Sequence, residues 1–131
     1  MSKIRVLVVD AHQLFREGIR SIFADNSDIE VIGEADSVDS MMTFFEKETP
    51  EVVLIDVTMP GGDGISAIKS CKKRYPSIRF VVLTMHADGQ YVVKAARSGA
   101  FGYLLKNADK EELTTAVKEA SFGRKYFNAE I

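Results

Sequence analysis

A chain of 131 residues, 46% apolar and 27% charged, has the size and composition of one globular domain with a closed core. A formal net charge of −2 gives no electrostatic reason for this chain itself to bind nucleic acid or an anionic membrane. One cysteine, Cys71, excludes an internal disulfide and suits a reducing, cytoplasmic setting, and the sequence is expected to carry neither a signal peptide nor a membrane span.

The first apolar run, Ile4 to Val9, reads as a buried strand broken by Asp10-Ala11-His12. Leu14, Phe15, Gly18, Ile19, Ile22 and Phe23 then recur at helical spacing, predicting a helix over about 12–24. After the turn cluster Asp25-Asn26-Ser27-Asp28, Ile29 to Glu34 alternates apolar with polar residues, as an edge strand does. Asp36-Ser37 caps a second helix that ends before Pro50, and its Met41, Met42, Phe44 and Phe45 read as core and near-core.

The central stretch, Glu51 to Gly64, reads E-V-V-L-I-D-V-T-M-P-G-G-D-G. Val52 to Ile55 has the pattern of a strand buried on both faces, ending on Asp56 and a loop signalled by Pro60, Gly61 and Gly62. Asp63 and Gly64 start a third helix over 65–75, stopped by Pro76, with Cys71 packed in the series Ile65, Ile68, Cys71. Arg79 to Leu83 is a fourth strand closing on Thr84, and a helix over about 88–98 follows, with Gly99 as its stop. Phe101 to Leu105 is the fifth strand, closing on Lys106. Asp109 caps a last helix carrying Leu113, Ala116, Val117 and Ala120, ending near Gly123. The tail S-F-G-R-K-Y-F-N-A-E-I reads as a helix end followed by a linker from 124 onward.

Five strands alternating with five helices call for an α/β fold with a parallel sheet and helices on both faces. The second strand reads as the edge, which points to the order 2-1-3-4-5, a flavodoxin-like (βα)5 three-layer sandwich over residues 1–123. A dinucleotide-binding domain is disfavoured, because the turn after the first strand holds no glycine. Ligands of such sheets bind outside the carboxyl ends of the strands, near the switch point between strands one and three. Asp10, Asp56, Thr84 and Lys106 each end a strand there. Two carboxylates, a hydroxyl and an ammonium suit a hard divalent cation and a phosphoryl group.

At V-L-V-V-D, V-V-L-I-D-V-T-M-P-G-G-D-G, V-V-L-T and G-A-F-G-Y-L-L-K the sequence resembles the receiver domain of two-component response regulators, over essentially its whole length. H-Q-L-F-R-E-G-I and G-A-F-G-Y-L-L-K resemble the NarL/FixJ subfamily, whose members join a receiver to a LuxR-type helix-turn-helix domain. The resemblance implies that Asp56 accepts a phosphoryl group from a histidine kinase. It implies that Asp10, Asp56 and the Thr58 carbonyl hold Mg²⁺, that Thr84 and Lys106 bind the phosphoryl group, and that Tyr103 swings inward on activation. It also implies a DNA-binding output domain beyond these residues and a possible homodimer of undecided face. The chain is then a phosphoacceptor that assists its own phosphotransfer and dephosphorylation, not an enzyme acting on a separate product.

The chemistry asks for these residue types independently. A carboxylate attacking a phosphoryl group meets anionic repulsion that a divalent ion and a lysine offset. One position departs from the family pattern: Ala11 stands where the second of two adjacent acids is usual, so Mg²⁺ binding is expected to be weak and phosphorylation slow. That departure motivates the alternative of a phosphorylation-independent protein-interaction module. A small metal-dependent phosphohydrolase fits the crevice but lacks an extra general acid and a substrate-binding insertion. His12, beside the pocket, is read as a helix-start or surface residue in preference to a metal ligand. His86 is read as a loop residue at its mouth, either solvated or tuning acyl-phosphate hydrolysis.

Overall fold

The computed structural model describes residues 3–59, 64–85 and 89–127. Its elements run β1 (Ile4–Val9), α1 (Gln13–Phe23), β2 (Ile29–Ala35), α2 (Val38–Lys47), β3 (Val52–Asp56), α3 (Gly64–Arg74), β4 (Arg79–Thr84), α4 (Gly89–Ser98), β5 (Gly102–Leu105), α5 (Lys110–Ser121) and β6 (Tyr126–Phe127). The sheet order is β2-β1-β3-β4-β5-β6, with every pairing parallel. The α/β flavodoxin-like architecture and the 2-1-3-4-5 order are therefore as the sequence predicts. Asp63, His86, the Pro60-Gly61-Gly62 turn and the first residue expected of the fourth helix lie outside the described residues.

The two-residue period of the strands divides the core. Val6 and Val8 of β1, Val52 and Leu54 of β3, and Leu83 of β4 point to the layer of α1 and α5, meeting Ile19, Phe23, Leu113 and Val117. Leu7, Val9, Val53, Ile55 and Val82 point the other way, to Met41 and Phe45 of α2, Ile68 and Cys71 of α3, and Ala95 of α4. A strand covered on both faces has no polar positions to spare, which is why β3 is apolar until Asp56. Cys71 packs as expected, its Sγ 3.6 Å from the Met42 Sδ, and burial pushes its thiol pKa up.

Local signals set the helix ends. Ser37 accepts from the Ser40 amide at 3.1 Å in a reciprocal capping box on α2, and Asp109 accepts from the Glu112 amide at 2.9 Å on α5. Gly99 takes a φ of +102° after α4, the left-handed conformation anticipated for a helix stop.

The sequence reading is corrected at the tail. Residues expected to open a linker include a sixth strand, whose Tyr126 pairs with Gly102 and Phe127 with Tyr103. Tyr126 packs on the α1/α5 core and Phe127 on the opposite one. Two adjacent aromatics thus cover both faces of the sheet edge with one residue each.

Gly64 lets the start of α3 lie against Val57, the residue after Asp56. A Cβ there would stand 2.7 Å from the Val57 Cα, too close for the backbones to keep their approach. Gly64→Ala is expected to cost about 1–3 kcal/mol in a denaturant melt through overpacking. A change below half a kcal/mol would show that α3 yields freely at this point.

Candidate functional site

The carboxyl ends of β1, β3, β4 and β5 bring the predicted residues together. Asp10 follows β1, Asp56 is the last residue of β3, Thr84 is the last of β4, and Lys106 follows β5. Asp56 is registered against Leu83, one position before Thr84, and Thr84 against Leu105, one position before Lys106. The Lys106 amide donates to the Thr84 carbonyl at 2.8 Å. Asp10, Asp56 and Thr84 are each at most 3% exposed.

Lys106 holds the two acids. Its Nζ lies 2.5 Å from Asp10 Oδ2 and 3.0 Å from Asp56 Oδ2. The Asp56 contact is a hydrogen bond. That to Asp10 is a close buried ion pair, in which the ammonium is the partner of Asp10 Oδ2. Asp10 Oδ1 accepts from the His12 amide at 2.8 Å and lies 3.1 Å from its Nδ1. Asp56 Oδ1 accepts from the Thr58 amide at 2.8 Å and from its hydroxyl at 2.6 Å.

Burial pushes the Asp56 carboxyl up, but the two Thr58 donors and the Lys106 ammonium outweigh it and hold the pKa below the ordinary 3.8. Burial pushes Lys106 down, and Asp10 and Asp56 overcome that to raise its pKa above 10.5. The signs give two limits. A depressed acid contributes stability above its unfolded pKa, lost as pH falls through the lower folded value. A raised lysine contributes stability below its unfolded pKa, lost as pH rises through the higher folded value. Denaturant melts are therefore expected to show this contribution intact from about pH 5 to 10. In Asp56→Asn the acid-side loss should shrink; an unchanged acid limb would contradict the arrangement.

Neighbouring residues keep the cluster in place. The Phe15 ring lies 4.5 Å beneath the Lys106 ammonium, a cation–π contact from α1. Arg16 donates to the Asp10 carbonyl at 2.6 Å and to Glu34 of β2 at 2.8 Å, and Arg20 also pairs with Glu34. The Arg16 hydrogen bond is the chief influence on the Glu34 carboxyl, whose pKa falls below its usual value.

The remaining predicted residues fall as follows. Tyr103 is fully buried in the core shared with α2, α3 and α4, so its ring already occupies the interior. Ala11 packs at the margin of the same core and offers no donor. Thr58 was singled out for its carbonyl alone, whereas its hydroxyl and amide grip Asp56; a Thr two residues after an Asp, the spacing of a side-chain turn, is the signal for that. The site roles of Phe15 and Arg16 are not legible in the sequence, since the α1 periodicity places Phe15 in the apolar series without revealing which polar group the helix covers.

Two carboxylates beside an ammonium form a site that a divalent ion fits, because Mg²⁺ is ordinarily held by one or two carboxylates with water completing its shell. Asp10, His12 and Asp56 each bring a ligand-type atom within 4.8 Å of the others. Among the described residues no helix is long and apolar enough to cross a membrane.

Known proteins share this fold. The family model of the response regulator receiver domain matches residues 6–118. The chain is 36% identical over 130 residues to the transcriptional regulatory protein DegU of Brevibacillus brevis, covering 99% of this chain and 55% of the relative. It is 35% identical to the response regulator GacA of Pseudomonas aeruginosa, covering 98% of this chain and 60% of the relative. It thus spans little more than half the length of these curated relatives. Among solved structures, a LuxR-family two-component response regulator from Aurantimonas superposes with a TM-score of 0.92 at 31% identity, covering 99% of this chain and 93% of that one. The signal receiver domain of the putative response regulator NarL from Mycobacterium tuberculosis does so with 0.89 at 32%, covering 95% and 100%. With the fold, the family match and these relatives in agreement, the chain belongs to the response regulator receiver domains of two-component signalling, of the LuxR/NarL kind.

Proposed function

We propose that Asp56 accepts a phosphoryl group from the phosphohistidine of a sensor histidine kinase, and that the resulting change of state controls a DNA-binding output domain in a cytoplasmic regulator of transcription. The observation that carries the reading is the buried Asp56 carboxylate at the switch-point end of β3, gripped by Thr58 and paired with Lys106 beside Asp10. In the transfer an Asp56 oxygen bonds to phosphorus as the phosphorus–nitrogen bond of the phosphohistidine breaks, and the imidazole leaves. Lys106 offsets the charge on the transferring group. Mg²⁺, when bound by Asp10, Asp56 and the Thr58 carbonyl, supplies further neutralisation, and with Ala11 lacking a donor its affinity is weak. The same residues assist transfer to and hydrolysis from Asp56.

Phosphorylation adds roughly −1.5 to −2 charge at the end of β3. The Thr84 hydroxyl, at the end of the adjacent strand, binds a phosphoryl oxygen, and Lys106 transfers its contact to the new anion. Loss of the Lys106–Asp10 pairing and repacking around Tyr103 then link the site to the β4–β5 surface. A complete shift from 1:99 to 99:1 requires about 5.5 kcal/mol of preference for one state. Homodimerisation of the phosphorylated regulator is the expected partner interaction.

Ala11 favours a second reading, a receiver that signals by protein contact without phosphorylation. The two separate in the full-length regulator. Asp56→Asn is expected to abolish the signal-dependent change in target transcription, measured with a reporter; an unchanged response would support the second reading and remove the first.

A further inference from the structure

We infer that Arg16 is a positioning residue for phosphoryl transfer. A bulge in β2 turns Glu34 toward α1, Glu34 holds the Arg16 guanidinium, and Arg16 fixes the Asp10 backbone so that the Asp10 carboxylate meets Lys106. The consequence for transfer rests on the phosphoacceptor reading; the contacts themselves do not.

The series of contacts starts at the sheet edge. Val31 of β2 is registered against Val6 of β1, but Gly33 is registered against Leu7, so Ile32 is an extra residue. Val6 and Val31 face the layer of α1 and α5, whereas Val9 and its partner Ala35 face that of α2 and α3. The bulge sets Glu34 against Val8, on the α1 side. A regular continuation would set it against Val9 and turn it away from α1. Bulges commonly re-aim a side chain beside a functional site.

On that side Glu34 meets the basic residues of α1. Its Oε1 accepts from Arg16 Nε at 2.8 Å, and its Oε2 pairs with Arg20. The Arg16 side chain is 15% exposed, and its Nη1 donates to the Asp10 carbonyl at 2.6 Å. A planar guanidinium holds two oxygens in a fixed fork, so the position of Glu34 sets that of the Asp10 carbonyl. The Asp10 amide in turn donates to the Ala35 carbonyl at 3.0 Å. Both peptide groups flanking the Asp10 Cα are thereby tied to β2, one directly and one through Arg16 and Glu34. Only its own side-chain torsions then remain to place the Asp10 carboxylate against the Lys106 ammonium.

The test reads the nitrogen NMR resonance of the Lys106 ammonium in the metal-free domain, and the rate of phosphorylation by acetyl phosphate with Mg²⁺. Wild type, Arg16→Gln, Glu34→Gln and Arg20→Ala are compared, with circular dichroism to verify folding, and Arg16→Gln is also made in Asp10→Asn. Arg16→Gln should shift or broaden the Lys106 resonance and slow phosphorylation at least about tenfold, as misplacement of a group at a reacting centre does. Glu34→Gln should act in the same direction, less strongly, and reads the same two quantities should Arg16→Gln fail to fold. Arg20→Ala, which removes the other partner of Glu34, should change neither. In Asp10→Asn, where Lys106 retains Asp56, Arg16→Gln should no longer move the resonance. A wild-type rate in Arg16→Gln would overturn the proposal. So would equal movement of the resonance with and without the Asp10 carboxylate, or an Arg20→Ala effect as large as that of Arg16→Gln, since a general loss of stability does both. A wild type that takes no phosphoryl group would instead remove the phosphoacceptor reading, and the Lys106 resonance would still decide whether Arg16 fixes Asp10.

Discussion

Lys106→Met is expected to destabilise the metal-free domain by about 3–5 kcal/mol, the usual cost of removing one partner from a buried ionic group. The lysine side chain is 8% exposed and the side chains of its two acids 1% and 4%, so removing the ammonium leaves two buried carboxylates facing each other without a cation. Each acid keeps donors on its Oδ1, the His12 amide for Asp10 and the Thr58 amide and hydroxyl for Asp56, while the Oδ2 of both loses its cation. A denaturant melt of Lys106→Met, Asp10→Asn and the double variant measures the coupling. The double variant should recover a substantial part of the loss, since one negative charge has gone with the positive one. Additive effects would show that the short Lys106–Asp10 contact contributes little.

The second large effect concerns Ala11. Ala11→Asp is expected to raise Mg²⁺ affinity by roughly tenfold or more, because cation affinity follows the number of charged ligands. The same change places a third carboxylate beside Asp10 and Asp56, so the metal-free variant should be less stable than the parent and should regain stability as Mg²⁺ is added. Calorimetric titration and thermal melts with and without Mg²⁺ give both numbers. An unaltered affinity would mean that position 11 does not face the ion, and the weak-binding expectation would lose its basis.

Much of this was legible in the sequence because the strands here are short, apolar and ended by polar residues. Val52 to Ile55 has no polar position, so Asp56 stands out at once, and the same contrast marks Asp10, Thr84 and Lys106. Parallel β–α alternation then forces these four to one end of the sheet. What escaped was what depends on side-chain reach across elements. His12 reads as a helix-start or surface residue, and it does stand at the start of α1 with its side chain largely exposed, yet its Nδ1 returns to Asp10. Phe15 reads as one more helical apolar position, while its ring lies under the ammonium that joins two strand ends. Tyr126 and Phe127 were read as linker because a two-residue strand has no periodicity to detect; only the open edge of β5 gives them a place.

The central claim is that Asp56 is the phosphoacceptor. The most direct measurement is the intact mass of the purified domain after incubation with acetyl phosphate and saturating Mg²⁺, for wild type and Asp56→Asn. The account predicts a gain of one phosphoryl group on the wild type and none on the variant. No gain on the wild type, or the same gain on Asp56→Asn, would contradict it.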